Sequence, residues 1–158
     1  MMRKEAKLKS VTKEEYEYLS SFRYALRRFL HFSEEAASQV GLSPQQYQAL
    51  VVIAGFPGRD KVTVGELAER LLIRPHTAAE LVNRLEAQSL VEREPGETDR
   101  RQVFVKLTDY SARMLNELAA AHREELRQIG PQLNRMLTQL LAERNEEEHY
   151  PVNSEISQ

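Results

Sequence analysis

Residues 90–108, LVEREPGETDRRQVFVKLT, constrain the fold more than any other stretch, because they read as a β-hairpin with two adjacent arginines at its turn. Val103, Val105 and Leu107 fall on one face and Gln102, Phe104 and Lys106 on the other, the period-2 alternation of a half-buried strand. Residues 90–94 alternate more weakly. Pro95-Gly96 closes the first strand, and Glu97, Thr98, Asp99 and Arg100 make a solvated, exposed turn. Alone, this is also what an ordinary hairpin with a charged loop looks like. What precedes it decides between the two.

Three helix starts are marked by capping boxes: Thr12 with Glu15, Ser43-Pro44 with Gln46, and Thr63 with Glu66. The first helix carries Tyr16, Leu19, Phe22, Leu26, Phe29 and Leu30, and is expected to continue to Val40 with Gly41 as its stop. A second is expected over 44–54, followed by a loop over 55–60, and a short third from Val64 to about Leu72. Pro75 fits the first turn of a fourth helix reaching about Gln88, with Ala78, Leu81, Val82 and Leu85 facing inward. A short helix, a tight connection and a second helix form a helix-turn-helix, whose second helix can enter a major groove. With the hairpin directly behind it, the arrangement is the winged variant, and both elements can touch one duplex.

Thr108 is expected to cap a fifth helix to about Ile129, with Tyr110, Met114, Leu115, Leu118, Ala121, His122 and Leu126 at helical spacing. Gly130-Pro131 is expected to break it, and a sixth helix striped with Leu133, Met136, Leu137, Leu140 and Leu141 follows to about Glu147. The fold class is therefore mainly α with a small β part: a winged helix-turn-helix head over about 42–108, flanked by helices over about 12–40 and 109–147. The apolar faces of those helices find no obvious partner in so small a head. They predict a two-fold homodimer, the alternative being an intramolecular three-helix bundle. Residues 1–11 read as a flexible N-terminus and 148–158 as a polar, acidic tail.

Composition removes other classes. The absence of cysteine excludes disulfides, thiolate metal sites and cysteine-based oxidation sensing. No apolar run approaches the ~20 residues of a membrane span, and MMRKEAKLKS lacks an apolar signal core, so a soluble, cytoplasmic protein with no membrane partner is expected. His31, His76, His122 and His149 are scattered with no pair at one-face helical spacing, which argues against a metal site, and no cofactor is expected. No glycine-rich phosphate loop, nucleophile elbow or metalloprotease motif occurs, so an enzyme is not expected. The net charge is −2, and residues 59–108 hold 9 basic and 9 acidic groups. Binding to a polyanion must then rest on a few placed arginines, not on a broad basic field.

The order of SPQQYQALVVI, TVGELAERL, TAAELVNRLEAQSLVER, the wing DRRQVFVKLT and C-terminal helices resembles the multiple-antibiotic-resistance regulator (MarR) family of bacterial transcription regulators. The resemblance spans roughly 12–147 and is strongest over 42–108. Its most specific part is Asp99-x-Arg101 followed by Val105-Lys106-Leu107-Thr108, preceded by Leu85-Glu86 and Val91-x-Arg93. The family places the wing-tip arginine matching Arg101 in the minor groove, with the matching Asp99 holding it. A narrow minor groove concentrates negative potential, which suits a planar guanidinium. Arg100 then meets phosphate, although the residues alone do not rank the two arginines. Asp99 also reads as a turn residue that bonds its own backbone.

On the fourth helix, Arg74, Pro75, His76 and Thr77, with Ala79, Glu80 and Asn83, form the face aimed at the major groove, and Arg74 and Arg84 are its cations. Thr77 suits a phosphate or a thymine methyl, Asn83 adenine or the backbone, and His76 either a base or nothing. Glu80 repels phosphate unless it accepts from cytosine or pairs with Arg84. The chain departs from the family at Ser89, where glycine is usual. Serine there implies either mild strain or a different cap.

Many family members bind small aromatic or phenolic acids in a crevice beside the dimer helices and then release DNA. Phe22, Phe29, Phe32 and Tyr47 are candidates to line such a crevice, with Arg27, Arg28 or His31 near a carboxylate, although aromatics at helical spacing equally read as core. The expected function is a dimeric, ligand-responsive repressor on a pseudo-palindromic operator with half-sites ~10 bp apart. The alternative is a protein-interaction module that keeps the fold without binding DNA.

Overall fold

In the computed structural model, which describes residues 11–145, the capping boxes form as the sequence dictates. Ser43 and Thr63 each accept from the backbone N–H three residues on, and Gln46 and Glu66 reach back to the cap N–H; Thr12 and Glu15 do the same. The elements are α1 (Lys13–Gln39), α2 (Pro44–Ala54), β1 (Lys61–Val62), α3 (Val64–Leu71), α4 (Pro75–Ala87), β2 (Val91–Pro95), β3 (Val103–Leu107) and α5 (Asp109–Asn145). Gly41 stops α1 at φ +82°, donating to Ser38 O while Leu42 N–H donates to Ala37 O. This paired C-terminal closure uses the left-handed conformation that glycine takes cheaply.

The chain divides into two compact units, 1–29 with 126–158, and 30–125. The second is built around Leu50 and Ile53 of α2, Leu67 of α3, Leu81, Val82 and Leu85 of α4, and Val91 and Val105 of the wing, all fully or nearly fully buried. Ala78 joins them, so the inward face expected of α4 is the one observed. The sheet has the order β1-β3-β2, antiparallel throughout, with Val91 opposite Leu107, Arg93 opposite Val105, and Lys61 opposite Lys106.

Two expectations are corrected here. The wing is not a lone hairpin, because β1, two residues long, pairs along the outer side of β3. As the central strand, β3 is partly covered on both faces: Val105 and Phe104 are buried, whereas Val103 is exposed. Phe104 is sheltered by cations, with Arg59 5.2 Å and Lys61 5.1 Å from its ring centroid. Strict alternation therefore fails at a residue that sequence pattern assigned to the other face.

The second correction concerns Gly130-Pro131, which does not end the fifth helix; α5 runs unbroken from Asp109 to Asn145 with Pro131 inside it, so no separate sixth helix forms. Proline removes one backbone donor, but its usual clash with the preceding residue's Cβ is absent when that residue is glycine, and nothing crowds Gly130. In the first unit, Ala25, Ile129 and Met136 are buried, and Tyr16, Leu19, Tyr24, Leu137 and Leu141 are exposed. Among the described residues no helix is long and apolar enough to cross a membrane. The expected N-terminal segment up to residue 10, Glu147, His149 and the acidic tail lie outside the described residues.

An unbroken α5 makes a specific prediction. Pro131→Ala restores a donor toward the Arg127 carbonyl and should raise stability by about 1–3 kcal/mol in urea unfolding. A helix that ended at Ile129 would gain nothing.

Candidate nucleic-acid interface

The connection between α3 and α4 is three residues long, and its shape comes from the backbone. Leu72 adopts φ +55°, with its N–H donating to Glu69 O and that of Ile73 to Ala68 O. Arg74 is the N-cap of α4 but makes no side-chain capping bond, and Pro75 occupies the first turn. The first-turn N–H groups of α4 thus carry no side-chain acceptor, and the positive end of the helix dipole faces outward. Arg74, His76, Glu80, Asn83 and Arg84 are exposed and Thr77 is half-buried, so the face expected from sequence is a solvent face.

Two of those side chains are engaged within the protein. Arg84 Nη2 lies 3.4 Å from Gln45 Oε1, and among the described residues the exposed Glu80 carboxylate has no ion pair. Asn83 Oδ1 accepts from Arg93 Nη2 at 2.7 Å, while Arg93 Nη1 pairs with Glu86. Arg93 and Glu86 belong to the family-like pattern but carried no assigned role. Their seven-residue spacing crosses from helix to strand, where no single periodicity applies.

The wing tip is closed by Gly96 N–H donating to Gln102 O at 2.7 Å and Gln102 N–H to Asp99 O at 3.0 Å. Gly96 is required there, since a Cβ would stand 2.5 Å from Asp99 O. Asp99 bonds the turn's own backbone, as one of its two sequence readings expects: Oδ1 accepts from the Arg101 backbone N–H at 3.0 Å and also lies 3.7 Å from Arg101 Nε. The Arg101 side chain remains 96% exposed. Arg100 is exposed as well.

Ser89 resolves the cap question. It takes φ +57°, the left-handed position that glycine would fill, and completes the usual closure with Ser89 N–H to Glu86 O and Leu90 N–H to Leu85 O, both 2.9 Å. The cap is unchanged and the serine bears the strain. Thr108 Oγ1 donates to Ser89 O at 2.7 Å, and buried Ser111 Oγ donates to Leu90 O at 2.5 Å.

The base of the wing is held by charge. Glu94 meets Lys61 at 2.6 Å and Lys106 at 2.8 Å, and Lys106 also meets Glu92 at 3.4 Å. The hydrogen bonds from Lys106 and Lys61 hold the Glu94 carboxyl down at about 2, and raise both lysines. Arg59 pairs with Glu66 and stacks on Phe56, with its guanidinium carbon 4.6 Å from the ring centroid. Burial opposes the charge on Glu66, but Thr63 and Arg59 outweigh it and lower its pKa. Between residues 59 and 108, then, Arg59, Lys61, Arg93 and Lys106 are matched to carboxylates. Among the described residues Arg70, Arg74, Arg84 and Arg100 are not, and Arg101 has only the exposed Asp99; Arg70 lies over the Phe56 ring, its guanidinium carbon 5.2 Å from the centroid.

The four candidate ligand residues stand in different settings. Tyr47 stacks on His122 at 5.1 Å, and Phe32 meets the same ring edge-on at 5.5 Å. His122 Nδ1 lies 2.8 Å from Leu118 O, to which it donates, and Nε2 lies 2.8 Å from Ser33 Oγ. Burial raises the Tyr47 pKa, opposed by its hydrogen bond with Ser33. His31 is exposed and lies 3.4 Å from Glu35. Phe22 and Arg27 belong to the first unit, where Arg27 lines an open cleft with Tyr16, Leu19, Ser20 and Arg23. Sequence reasoning placed His122 on a helical stripe and did not single out Ser33. Their 89-residue separation leaves no local signal.

Comparison with known proteins gives this geometry its context. Residues 40–102 match a family model described as MarR family. The chain is 29% identical over 89 residues to the HTH-type transcriptional repressor MdtR of Bacillus subtilis, covering 56% of each chain. It is 29% identical over 91 residues to the HTH-type transcriptional regulator MgrA of Staphylococcus aureus, covering 58% of this chain and 60% of that one. The chain thus spans a little over half the length of these curated relatives. Among solved structures, AbsC, a MarR family transcriptional regulator from Streptomyces coelicolor, superposes with a TM-score of 0.66 at 24% identity, covering 88% of this chain and 97% of its own. Sco3205, a MarR family transcriptional regulator from the same organism solved in complex with DNA, gives 0.64 at 24% identity, covering 94% and 96%. At these identities the structural likeness establishes the fold.

Two outcomes are expected. Ser89→Gly should stabilise the protein by about 0.5–1 kcal/mol, read as a higher urea midpoint at unchanged slope, because it relieves the left-handed strain. Glu94 has a folded pKa of about 2, below its ordinary 4.5, so its contribution is present above pH 4.5 and is lost as pH falls toward 2. The stability gap between the wild type and Glu94→Gln should therefore be largest at neutral pH and close across that window. A gap independent of pH would contradict the assignment.

Proposed function

We propose that this chain, whose residues 40–102 match a MarR-family model, is a dimeric DNA-binding transcription regulator. It acts in the bacterial cytoplasm as a ligand-responsive repressor on a pseudo-palindromic operator. The observation that carries this reading is the segregation of charge. Cations at the wing base and behind α4 are matched to carboxylates, whereas among the described residues Arg74 at the start of α4, Arg84 on its outer face and Arg100 at the wing tip are exposed without a carboxylate partner, and Arg101 keeps only the exposed Asp99; Arg70 of α3, also unmatched, lies over Phe56. These are the positions from which a winged domain meets a major groove and the adjacent minor groove.

In this reading α4 enters the major groove with Arg74, His76 and Thr77 leading, and Arg84 meets phosphate. Arg101, oriented by Asp99, enters the minor groove while Arg100 contacts the backbone. Asp99 lowers the net charge of the tip but fixes the direction of the guanidinium, a trade of affinity for placement. The exposed apolar residues Tyr16, Leu19, Leu137 and Leu141 supply the surface for a second copy, which presents two heads to an inverted repeat. An aromatic or phenolic acid is the proposed effector.

Arg101→Ala tests the wing. Expected are a loss of affinity for duplex DNA on the order of tenfold or more, and a salt slope reduced by about two units for a dimer, one per arginine. Binding and slope equal to wild type would remove Arg101 from the interface and favour a protein-interaction module.

A further inference from the structure

Asn83 is on the outer face of α4, more than two turns from its start, and carries the amide that reads adenine when both of its ends are free. Such readout needs Oδ1 to accept from adenine N6 and Nδ2 to donate to N7. Here the oxygen already accepts from a charged donor, so an adenine N6 would have to share it with the guanidinium. Arg93 is a donor at every nitrogen, so the atom facing it at 2.7 Å is the amide oxygen, and the choice between oxygen and nitrogen follows from chemistry.

Arg93 is itself fixed. One arm of its guanidinium pairs with Glu86 and the other with Asn83, two residues three apart on α4, while its backbone is held in β2 opposite Val105. Its charge is matched by Glu86, which makes it a poor phosphate anchor, and a planar fork can hold both partners at once where a lysine would hold one. Asn83 is exposed, and among the described residues its NH2 group has no acceptor.

We propose that Arg93 turns Asn83 into a one-way hydrogen-bond donor, so that this position of α4 recognises an acceptor on DNA, either a base-edge atom or a phosphate oxygen, and does not select adenine. This rests on the DNA-binding reading above and adds a specificity rule to it. Asn83 is the contacting residue and Arg93 a positioning residue that acts through it. Guanine, with acceptors at both N7 and O6, is served at least as well as adenine.

The test uses the full-length protein and the best duplex recovered from a random pool, with affinities measured for every single-base variant of that duplex. Asn83→Ala locates the contact: loss confined to one base position per half-site marks a base edge, and equal loss on all duplexes marks the backbone. In either case the wild type should show no preference for adenine over guanine attributable to Asn83. Asn83→Asp keeps an acceptor for Arg93 but replaces the donor by a second acceptor, so it should melt close to wild type and bind at least about tenfold more weakly. Arg93→Met keeps the apolar stem and releases Oδ1. If Arg93 acts through Asn83, Arg93→Met/Asn83→Ala should bind no worse than the weaker single variant, within about twofold, and not as the product of the two losses.

An adenine-over-guanine preference of about tenfold that Asn83→Ala abolishes overturns the proposal, as do wild-type binding by Asn83→Asp or multiplicative losses in the double variant. Failure of the wild type to bind any duplex overturns the functional reading itself, which separates the two failures.

Discussion

Everything the wing can do depends on the backbone of Ser89 and Leu90, where α4, the first wing strand and α5 are joined. Ser89 turns the chain through a left-handed conformation, and the N–H groups of the two residues close the end of α4 on Glu86 and Leu85. Their carbonyls then accept from the other side: Ser89 O from Thr108 Oγ1, and Leu90 O from Ser111 Oγ and the Thr108 N–H. Leu90, Val91 and Ser111 are buried at the same point, so the inner side of the junction is shielded from water while Ser89 stays exposed. A buried carbonyl left without a donor is costly, which makes the angle between helix and wing a discrete choice.

Two further ties make helix and wing act as one body. Arg93 reaches from β2 to Glu86 and Asn83 on α4, and Glu94 draws Lys61 and Lys106 across the three strands. Both also consume cations that would otherwise add a diffuse attraction to any polyanion. Among the described residues of the head, the arginines left unmatched sit at the N-terminus and outer face of α4 and at the wing tip, together with Arg70 of α3, which lies over Phe56. A head with balanced formal charge can thereby present a localised positive surface. Affinity then depends on placement, and the energetic weight of Ser89 and Arg93 is exerted through geometry.

Much of this was legible in the sequence because it is local. Capping boxes at Thr12, Ser43 and Thr63, the Gly41 stop, the inward face of α4 and the Asp99-x-Arg101 tip all depend on residues within a few positions of one another, and all appear where the spacing placed them. What escaped was non-local or was a balance of local rules. β1 is two residues long and exists only because β3 offers it an edge. Burial of Phe104 follows from Arg59 and Lys61 arriving from elsewhere in the chain. Gly130-Pro131 carries two helix-breaking residues, yet the glycine removes the clash that normally makes proline decisive. The Asn83 amide was legible as a reader of bases, but its engagement by Arg93 was not.

If α4 and the wing tip read one duplex as a single rigid unit repeated by two-fold symmetry, as proposed, selection of duplexes from a random pool, at stated salt and with the oligomeric state measured in the same buffer, should enrich an inverted repeat with half-site centres ~10 bp apart, each flanked at fixed spacing by a narrow, A·T-rich minor groove. Recovery of unrelated sequences, or of half-sites with no fixed relation to a minor-groove flank, would contradict that reading.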